Sequence, residues 1–142
     1  MLSLVQGLSA EKALKLREIG IEDVQNLAVA NVDKLRNNLP FNKAMLCDWI
    51  AQSILILYFV DDIEKLRESG VRTILDLEEC ALISEDDECQ VCAGIIGIKP
   101  VKLQYVRKIL RLEYMKTRME ELRNCLSSEY NRRLQHINPE SG

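Results

Sequence analysis

Cys89 and Cys92 are separated by two residues, the spacing at which paired thiols bind zinc or exchange with disulfides. A structural zinc site needs four ligands, and Cys80 could supply a third. The chain has no second pair at this spacing, and its one histidine, His136, lies near the carboxyl end. A redox pair would be expected where a strand leads into a helix in an α/β fold, and this chain lacks that pattern. We therefore predict no metal site and interpret most of the cysteines as small buried side chains.

The other reactive side chains are not spaced for catalysis. A nucleophile must lie beside a general base, and His136 is close to residues 138–142, which we expect to form a frayed tail. The acidic pairs Asp61 and Asp62, and Glu78 and Glu79, are adjacent on predicted helices, where neighbouring side chains point apart. No phosphate-binding loop pattern is present. We predict no catalytic residues, no cofactor and no enzymatic activity.

Composition favours packed helices. Of the 142 residues 47% are apolar but only 5% aromatic, so the core must consist mainly of Leu, Ile, Val and Ala. Residues 1–98 hold 9 basic and 17 acidic side chains, whereas residues 99–142 hold 10 basic and 5 acidic. The net charge of −3 gives no general attraction to nucleic acid or anionic membranes. Residues 1–98, which are acidic, and residues 99–142, which are basic, should nevertheless interact differently with a charged partner.

The number of cysteines and the length of the apolar runs indicate the cellular compartment in which we expect the protein. The number of cysteines, five, is odd and no secretory pattern opens the chain, so we expect a reducing, cytoplasmic setting. The longest apolar run, residues 54–60, is much shorter than the roughly 20 residues that cross a bilayer. We expect no membrane contact within this chain.

A repeated stretch predicts the helices that position these residues. KLREIGI at residues 15–21 returns as KLRESGV at residues 65–71. Each copy ends a helix on a glycine, which supplies a left-handed stop, and continues with an aliphatic residue. We interpret this as two copies of one small helical unit. A later match at an offset of 56 implies six inserted residues near 84–92. It pairs Met45, Trp49, Ile50 and Ile54 with Val101, Tyr105, Val106 and Leu110.

Polar residues mark the predicted helix starts. Ser9, Asn31, Asn42 and Asp61 are each well placed to cap a helix. Residues 45–59 form a helix that is apolar on all sides from residue 54, as expected for a helix buried between the two units. We interpret Trp49 on this helix as a core or interface anchor in preference to a ligand-stacking residue.

The last helix is predicted to be long. Beyond Pro100, a favoured first helical residue, apolar residues recur at spacings of three and four. A helix over residues 100–126 would be about 40 Å long, which is more than one small domain covers. We expect its outer part to meet a second copy or a partner helix. The predicted interface residues are Leu112, Met115, Met119, Leu122 and Leu126.

Three turns, Ile-Gly-Ile at Gly20, Ser-Gly-Val at Gly70 and Ile-Gly-Ile at Gly97, resemble the hydrophobic–glycine–hydrophobic hairpin of helix-hairpin-helix domains. Over about residues 10–110 the chain is similar to tandem helix-hairpin-helix (SAM-like) repeat proteins of unassigned function in bacteria. Pattern and resemblance together predict an all-α fold, with two tandem units around a central buried helix and a long C-terminal helix. The units are residues 1–60 and 61–112, which share a core, and residues 113–142 form the helix extension and tail.

The resemblance also implies a binding surface. In that family the backbone N–H groups of the hairpin can hold a DNA phosphate without reading sequence. Beyond Gly20, however, Glu22 and Asp23 would repel phosphate. Nucleic-acid or anion binding is therefore expected only in the second unit, through Arg72, Lys99, Lys102, Arg107, Lys108 and Arg111. The alternative is that the glycines serve only the turns and close helix packing.

Three functions fit these residues. The leading hypothesis is a non-enzymatic interaction or oligomerisation module joined through the last helix. The second is sequence-independent nucleic-acid binding through the basic residues. The third is sensing of a small anionic, nucleotide-like ligand between subunits.

Overall fold

The structure, a computed structural model, describes the backbone of residues 2–83 and 97–137, and the side chains of residues 2–78, 97–99 and 101–126. Within these ranges the fold is all-α, as predicted, without a β-strand. The predicted insertion with Cys89 and Cys92, and the predicted tail at 138–142, lie outside them. In chain order the helices are a 3₁₀ helix Leu2–Leu4, α1 (Ala10–Glu18), α2 (Val24–Ala28), α3 (Val32–Asn38), α4 (Lys43–Phe59), a 3₁₀ helix Val60–Asp62, α5 (Ile63–Glu68), α6 (Ile74–Ile83), α7 (Pro100–Leu110) and α8 (Glu113–Ile137).

Side-chain caps begin the early helices where the sequence predicts them. The side-chain oxygens of Ser9, Asn31 and Asn42 accept backbone N–H hydrogen bonds at the starts of α1, α3 and α4. Asp23 does the same for α2, by accepting from the N–H of Asn26 at 3.0 Å. Each cap satisfies a donor that the first helical turn leaves without an intrahelical partner.

The predicted cap at Asp61 is wrong. The chain leaves α4 through a 3₁₀ turn, and α5 begins at Ile63. Asp62 occupies the cap position of α5 but makes no side-chain hydrogen bond to it. Its carboxylate instead binds the ammonium of Lys102 on α7 at 3.0 Å, so a tertiary contact replaces the local one.

The two repeated glycine turns have the same local geometry. Gly20 and Gly70 adopt φ angles of +93° and +89°. The N–H of Ile21 bonds the carbonyl of Leu16 at 2.9 Å, and the equivalent bond at the second turn is 2.8 Å long. This bond across six residues closes each helix in a Schellman motif, which needs a left-handed residue at the glycine position. The repeated stretch therefore folds into the same turn twice.

α4 is the centre of the fold, as predicted, and starts two residues earlier than expected. It contacts α2, α3, α5, α6 and α8. Trp49, Ile50, Leu55 and Phe59 are at most 1% exposed. The continuous helical stretch Lys43–Glu68 is long and apolar enough to cross a bilayer, with mean hydropathy 1.5, but 61% of its apolar window is buried inside the fold. Packing against the other helices accounts for that hydropathy.

The predicted long C-terminal helix is present as α8, but it begins at Glu113 and not at Pro100, because the chain turns at Arg111 and Leu112 between α7 and α8. Their N–H groups bond to carbonyls three residues earlier, at 3.2 and 3.1 Å, which closes α7. A bond from the N–H of Lys116 to the carbonyl of Leu112, 2.9 Å long, then starts α8. α8 packs against α4 and α7, so residues 113–126 belong to the core and are not an extension beyond it.

One cluster of buried side chains runs through residues 1–60, 61–112 and 113–126. The match at an offset of 56 holds for burial at two of its four pairs, because Val106 and Leu110 are each 1% exposed, like Ile50 at 0% and Ile54 at 3%. The other two pairs differ. Trp49 is 1% exposed, whereas Tyr105, its predicted counterpart, is 61% exposed, and Val101 is 76% exposed. One side of α7 therefore presents apolar side chains to solvent.

Candidate interaction surface

Three of the chain's four tyrosines come together from three different helices. Tyr58 lies in the last turn of α4, Tyr105 on α7 and Tyr114 in the first turn of α8. Burial raises the pKa of Tyr58, and interaction with the ionised phenols of Tyr114 and Tyr105 raises it further. The three hydroxyl groups therefore lie close enough for their charges to interact.

The turn between α7 and α8 places the two outer tyrosines at the surface. Tyr105 is 61% and Tyr114 67% exposed, and Leu112 between them is 48% exposed. Apolar side chains on a monomer surface are normally scattered singly, so a contiguous group from several elements marks an interaction site. We call this group the tyrosine face and define it as Val29, Leu57, Tyr58, Tyr105, Leu112 and Tyr114.

The tyrosine face contains a shallow depression of about 230 Å³. Its walls come from the end of α2, the second half of α4 and the first turns of α8. The lining is mostly apolar and consists of Ala28, Val29, Ile54, Leu57, Tyr58, Tyr114, Met115 and Arg118. A depression of this size accepts one or two side chains of a partner rather than a drug-sized ligand, which occupies about 300–1,000 Å³.

Arg118 of α8 holds one edge of this depression. Its Nη2 donates hydrogen bonds to the carbonyl oxygens of Ala28 at 2.8 Å and Ala30 at 2.5 Å. Burial lowers the pKa of this guanidinium, and Glu121 partly offsets the effect. The two carbonyls flank Val29, whose side chain is 76% exposed. Arg118 thus caps the carboxyl end of α2 and fixes Val29 in the tyrosine face.

Charged side chains of both signs border the face. Lys108 and Arg111 lie between Tyr105 and Tyr114 in the chain, and Glu113 precedes Tyr114. All three charged residues are exposed, and none makes an ion pair with any other side chain that the structure describes. They remain available to a second molecule.

The six predicted basic residues are not brought together as one site. Arg72 forms a bidentate ion pair with Asp48, and its Nε donates to Gln6 at 3.0 Å. Lys102 pairs with Asp62 and lies 5.0 Å from the centre of the Phe59 ring. Asp48 is in the first half of α4 and Asp62 lies beyond its end, so these two cations are anchored at opposite ends of that helix.

The remaining members of the predicted set are on α7 or beside it. Lys99, Lys108 and Arg111 are exposed, and Arg107 is partly buried. Lys99 follows a third positive-φ glycine, Gly97, at +82°. Among the described side chains of the predicted set, the exposed Lys99, Lys108 and Arg111 could offer their charge to an anion.

The predicted oligomer interface is wrong for three of its five residues. Met115, Met119 and Leu122 are 6%, 1% and 2% exposed, because α8 turns back and packs them against the chain's own core. Leu126 is partly buried against the same core. Only Leu112 remains at the surface, so any contact with a second molecule must use a different side of α8.

Metal ligands do not assemble in the described part of the chain, where no group of three or more His, Cys, Asp or Glu side chains is close enough to hold an ion. The side chains of Cys80, Cys89, Cys92 and His136 lie outside that part. The zinc question raised by the cysteine pair therefore stays a prediction.

Sequence reasoning missed the tyrosine face because it placed Tyr105 inward, by analogy with Trp49. No local signal separates Tyr105 from the buried residues, because it lies four residues before Ile109 and so fits the helical spacing of the apolar series.

Comparison with protein-family models, curated proteins and solved structures gives no match for this chain. Function must therefore be inferred from the chain's own surface.

Proposed function

We propose that the protein is a non-enzymatic helical interaction module that joins two copies of this chain through the tyrosine face. The observation that carries the proposal is that Tyr58 and Tyr114 line one apolar depression, with the exposed ring of Tyr105 near them, in a chain with only 5% aromatic residues. Tyrosine is enriched in protein interfaces because its ring buries a large area at low entropic cost while its hydroxyl keeps a hydrogen bond.

The chemistry of the face suits a copy of itself. A two-fold contact brings one patch against the same patch, so its attractive groups must be mutually complementary. Lys108 and Arg111 supply cations for the ring faces of the other copy and for its Glu113. A phenol both donates and accepts hydrogen bonds, so tyrosines can pair with tyrosines. A patch of one charge sign would instead repel its copy.

Sedimentation equilibrium over a concentration series tests the proposal. We expect the native chain to form a dimer with a dissociation constant in the micromolar range, about −8 kcal/mol. Tyr105→Ala and Tyr114→Ala should each raise that constant tenfold or more, since aromatic residues at the centre of an interface carry most of its energy. Leu14→Ala is the matched control, because Leu14 is an exposed apolar residue on α1, at 58%.

A native chain that stays monomeric at the highest concentration would overturn the proposal, as would equal weakening by Leu14→Ala. Urea unfolding of each variant separates loss of contact from loss of fold. Because Tyr105 and Tyr114 are exposed, their substitution should change the free energy of unfolding by no more than about 0.5 kcal/mol.

A second proposal is sequence-independent binding of single-stranded nucleic acid along α7. It is supported by the exposure of Lys99, Lys108 and Arg111 and by the exposed ring of Tyr105 among them. Cations that follow a phosphate backbone and an aromatic platform on which bases stack are the usual combination in such grooves. Arg72 and Lys102 take no part, because their carboxylate partners already neutralise them.

Fluorescence anisotropy with a labelled oligonucleotide tests this second function. At low salt we expect binding that weakens steeply as salt is added. The variant with both Lys99→Glu and Lys108→Glu should lose it, and Lys34→Glu on α3 should not. Absence of binding at low salt, or unchanged binding by the double variant, would end the idea.

A further inference from the structure

Two cysteines from distant parts of the chain meet where α8 crosses the first turns of α4. Cys125 Sγ donates a hydrogen bond to the carbonyl oxygen of Lys43 at 3.5 Å. Lys43 and Cys47 are one helical turn apart, and that carbonyl is the intrahelical acceptor for the N–H of Cys47. The sulfur of Cys125 therefore lies over the helical turn that carries Cys47.

Both thiols are free and differ in their access to solvent. They line a cleft of about 620 Å³ between α3, α4 and α8. Cys47 is 1% exposed, whereas Cys125 is only partly buried. Burial raises the pKa of the Cys47 thiol, and interaction with Cys125 raises it further. The thiolate is the attacking species, and Cys47 is buried and held protonated by its raised pKa. Cys125 is therefore the thiol that a reagent in the cleft reaches first.

We propose that Cys47 and Cys125 form a reversible disulfide that ties α8 to α4 when a low-molecular-weight disulfide of the glutathione class enters the cleft. The Cys125 thiolate attacks the sulfur–sulfur bond of the reagent, forms a mixed disulfide and releases one small thiolate. Cys47 then attacks the Cys125 sulfur and releases the second. The two protein thiols are oxidised, the reagent is reduced to two thiols, and the two protein protons end on those products.

The second step depends on proximity. The buried Cys47 thiol is a poor nucleophile because its raised pKa keeps it protonated, but it lies on the helical turn that the Cys125 sulfur contacts. Holding two reacting groups in contact replaces a bimolecular collision with an intramolecular step, which accelerates reactions by orders of magnitude. Mixed disulfide at Cys125 should therefore be short-lived in the native chain and persistent when Cys47 is absent.

Closure would constrain a loop of nearly eighty residues in the unfolded chain, from Cys47 to Cys125. Cross-linking a loop of that size raises the melting temperature of a chain of this length by about 5–15 °C. The disulfide would also fix the position of α8, which carries Tyr114 of the tyrosine face and Arg118 at the edge of its depression. The proposal does not depend on the function of that face.

The test uses the full native chain, reduced and then incubated with oxidised glutathione, quenched with acid and digested without reductant. We expect peptide mass spectrometry to find Cys47 joined to Cys125 and a higher melting temperature that dithiothreitol reverses. Cys47→Ser should instead accumulate a glutathione adduct at Cys125. Cys125→Ser should give no adduct at Cys47, because that thiol has no access of its own.

Three results would overturn the proposal. The first is a stable glutathione adduct at Cys125 in the native chain without closure. The second is linkage of Cys47 or Cys125 only to other cysteines of the chain. The third is modification of Cys47 in Cys125→Ser at the native rate. Circular dichroism of both serine variants confirms that they are folded, and serine keeps the size of the side chain at each position.

Discussion

Arg72, just after the second glycine turn, is bound to Asp48 of α4 through two hydrogen bonds of 2.6 and 2.7 Å. The hydrogen bonds that Arg72 donates to Asp48 raise the pKa of its guanidinium, although burial lowers it. Gln52, fully buried on α4, donates to the same carboxylate and to the carbonyl of Gln6. This network ties the second turn and the N-terminal segment to the central helix.

We predict that the Arg72–Asp48 pair contributes about 1 kcal/mol, the upper range for partly exposed but bidentate pairs. A double-mutant cycle with Arg72→Ala and Asp48→Ala, followed by urea unfolding, measures the coupling. The control is the pair of Lys43 and Asp33, which is exposed and 3.7 Å apart, and should show almost no coupling. Equal coupling in both pairs would contradict this assignment.

The two glycine turns should respond equally to substitution. A Cβ built on Gly20 or Gly70 meets no atom within 4 Å, so only the positive φ opposes a side chain. Gly20→Ala and Gly70→Ala are each expected to lower the free energy of unfolding by about 1–2 kcal/mol. Asparagine tolerates this backbone region and should cost less at both positions. If alanine were neutral at one turn and costly at the other, the two turns would not be equivalent.

Removal of the Arg118 side chain should destabilise the fold. Arg118→Ala leaves the carbonyls of Ala28 and Ala30 without their donor, and the expected loss is about 1–3 kcal/mol in unfolding free energy. Arg111→Ala, which removes an exposed arginine seven residues earlier in the chain, should change it by about 0.5 kcal/mol at most. Comparable losses in the two variants would show that Arg118 does not act through those carbonyls.

Tyr58 should make the protein less stable at alkaline pH. Its pKa in the folded chain lies above the ordinary value of 10.0, so the unfolded chain loses this proton first as the pH rises. The stability that depends on the neutral phenol is therefore complete below pH 10 and is lost as the pH rises through the folded pKa. Unfolding free energies measured on both sides of pH 10 should fall more steeply for the native chain than for Tyr58→Phe. Equal slopes would contradict the raised pKa.

Local features of this fold can be predicted from its sequence. Ser9, Asn31 and Asn42 cap helices because the acceptor and its donor are within three residues of each other, and Gly20 and Gly70 stop helices through bonds that span six residues. The central helix was also predictable, because only a helix surrounded by others can be apolar on every side.

The tertiary features could not be predicted in the same way. Nothing at Arg111 and Leu112 signals a turn, since neither glycine nor proline is present, yet that turn decides whether Met119 faces a partner or the chain's own core. The pairing of Arg72 with Asp48 joins residues 24 positions apart, and no local pattern specifies it. The tyrosine face depends on both kinds of information, because three helices must be placed before its three tyrosines lie near one another.

Hydroxyl-radical footprinting of the native chain, at concentrations below and above its dissociation constant, tests the tyrosine face most directly. The expected result is that oxidation of Tyr105 and Tyr114 falls several-fold at the higher concentration while oxidation of the exposed Leu14 is unchanged. Equal oxidation of the two tyrosines at every concentration, or protection centred on Leu14, would contradict self-association through this face.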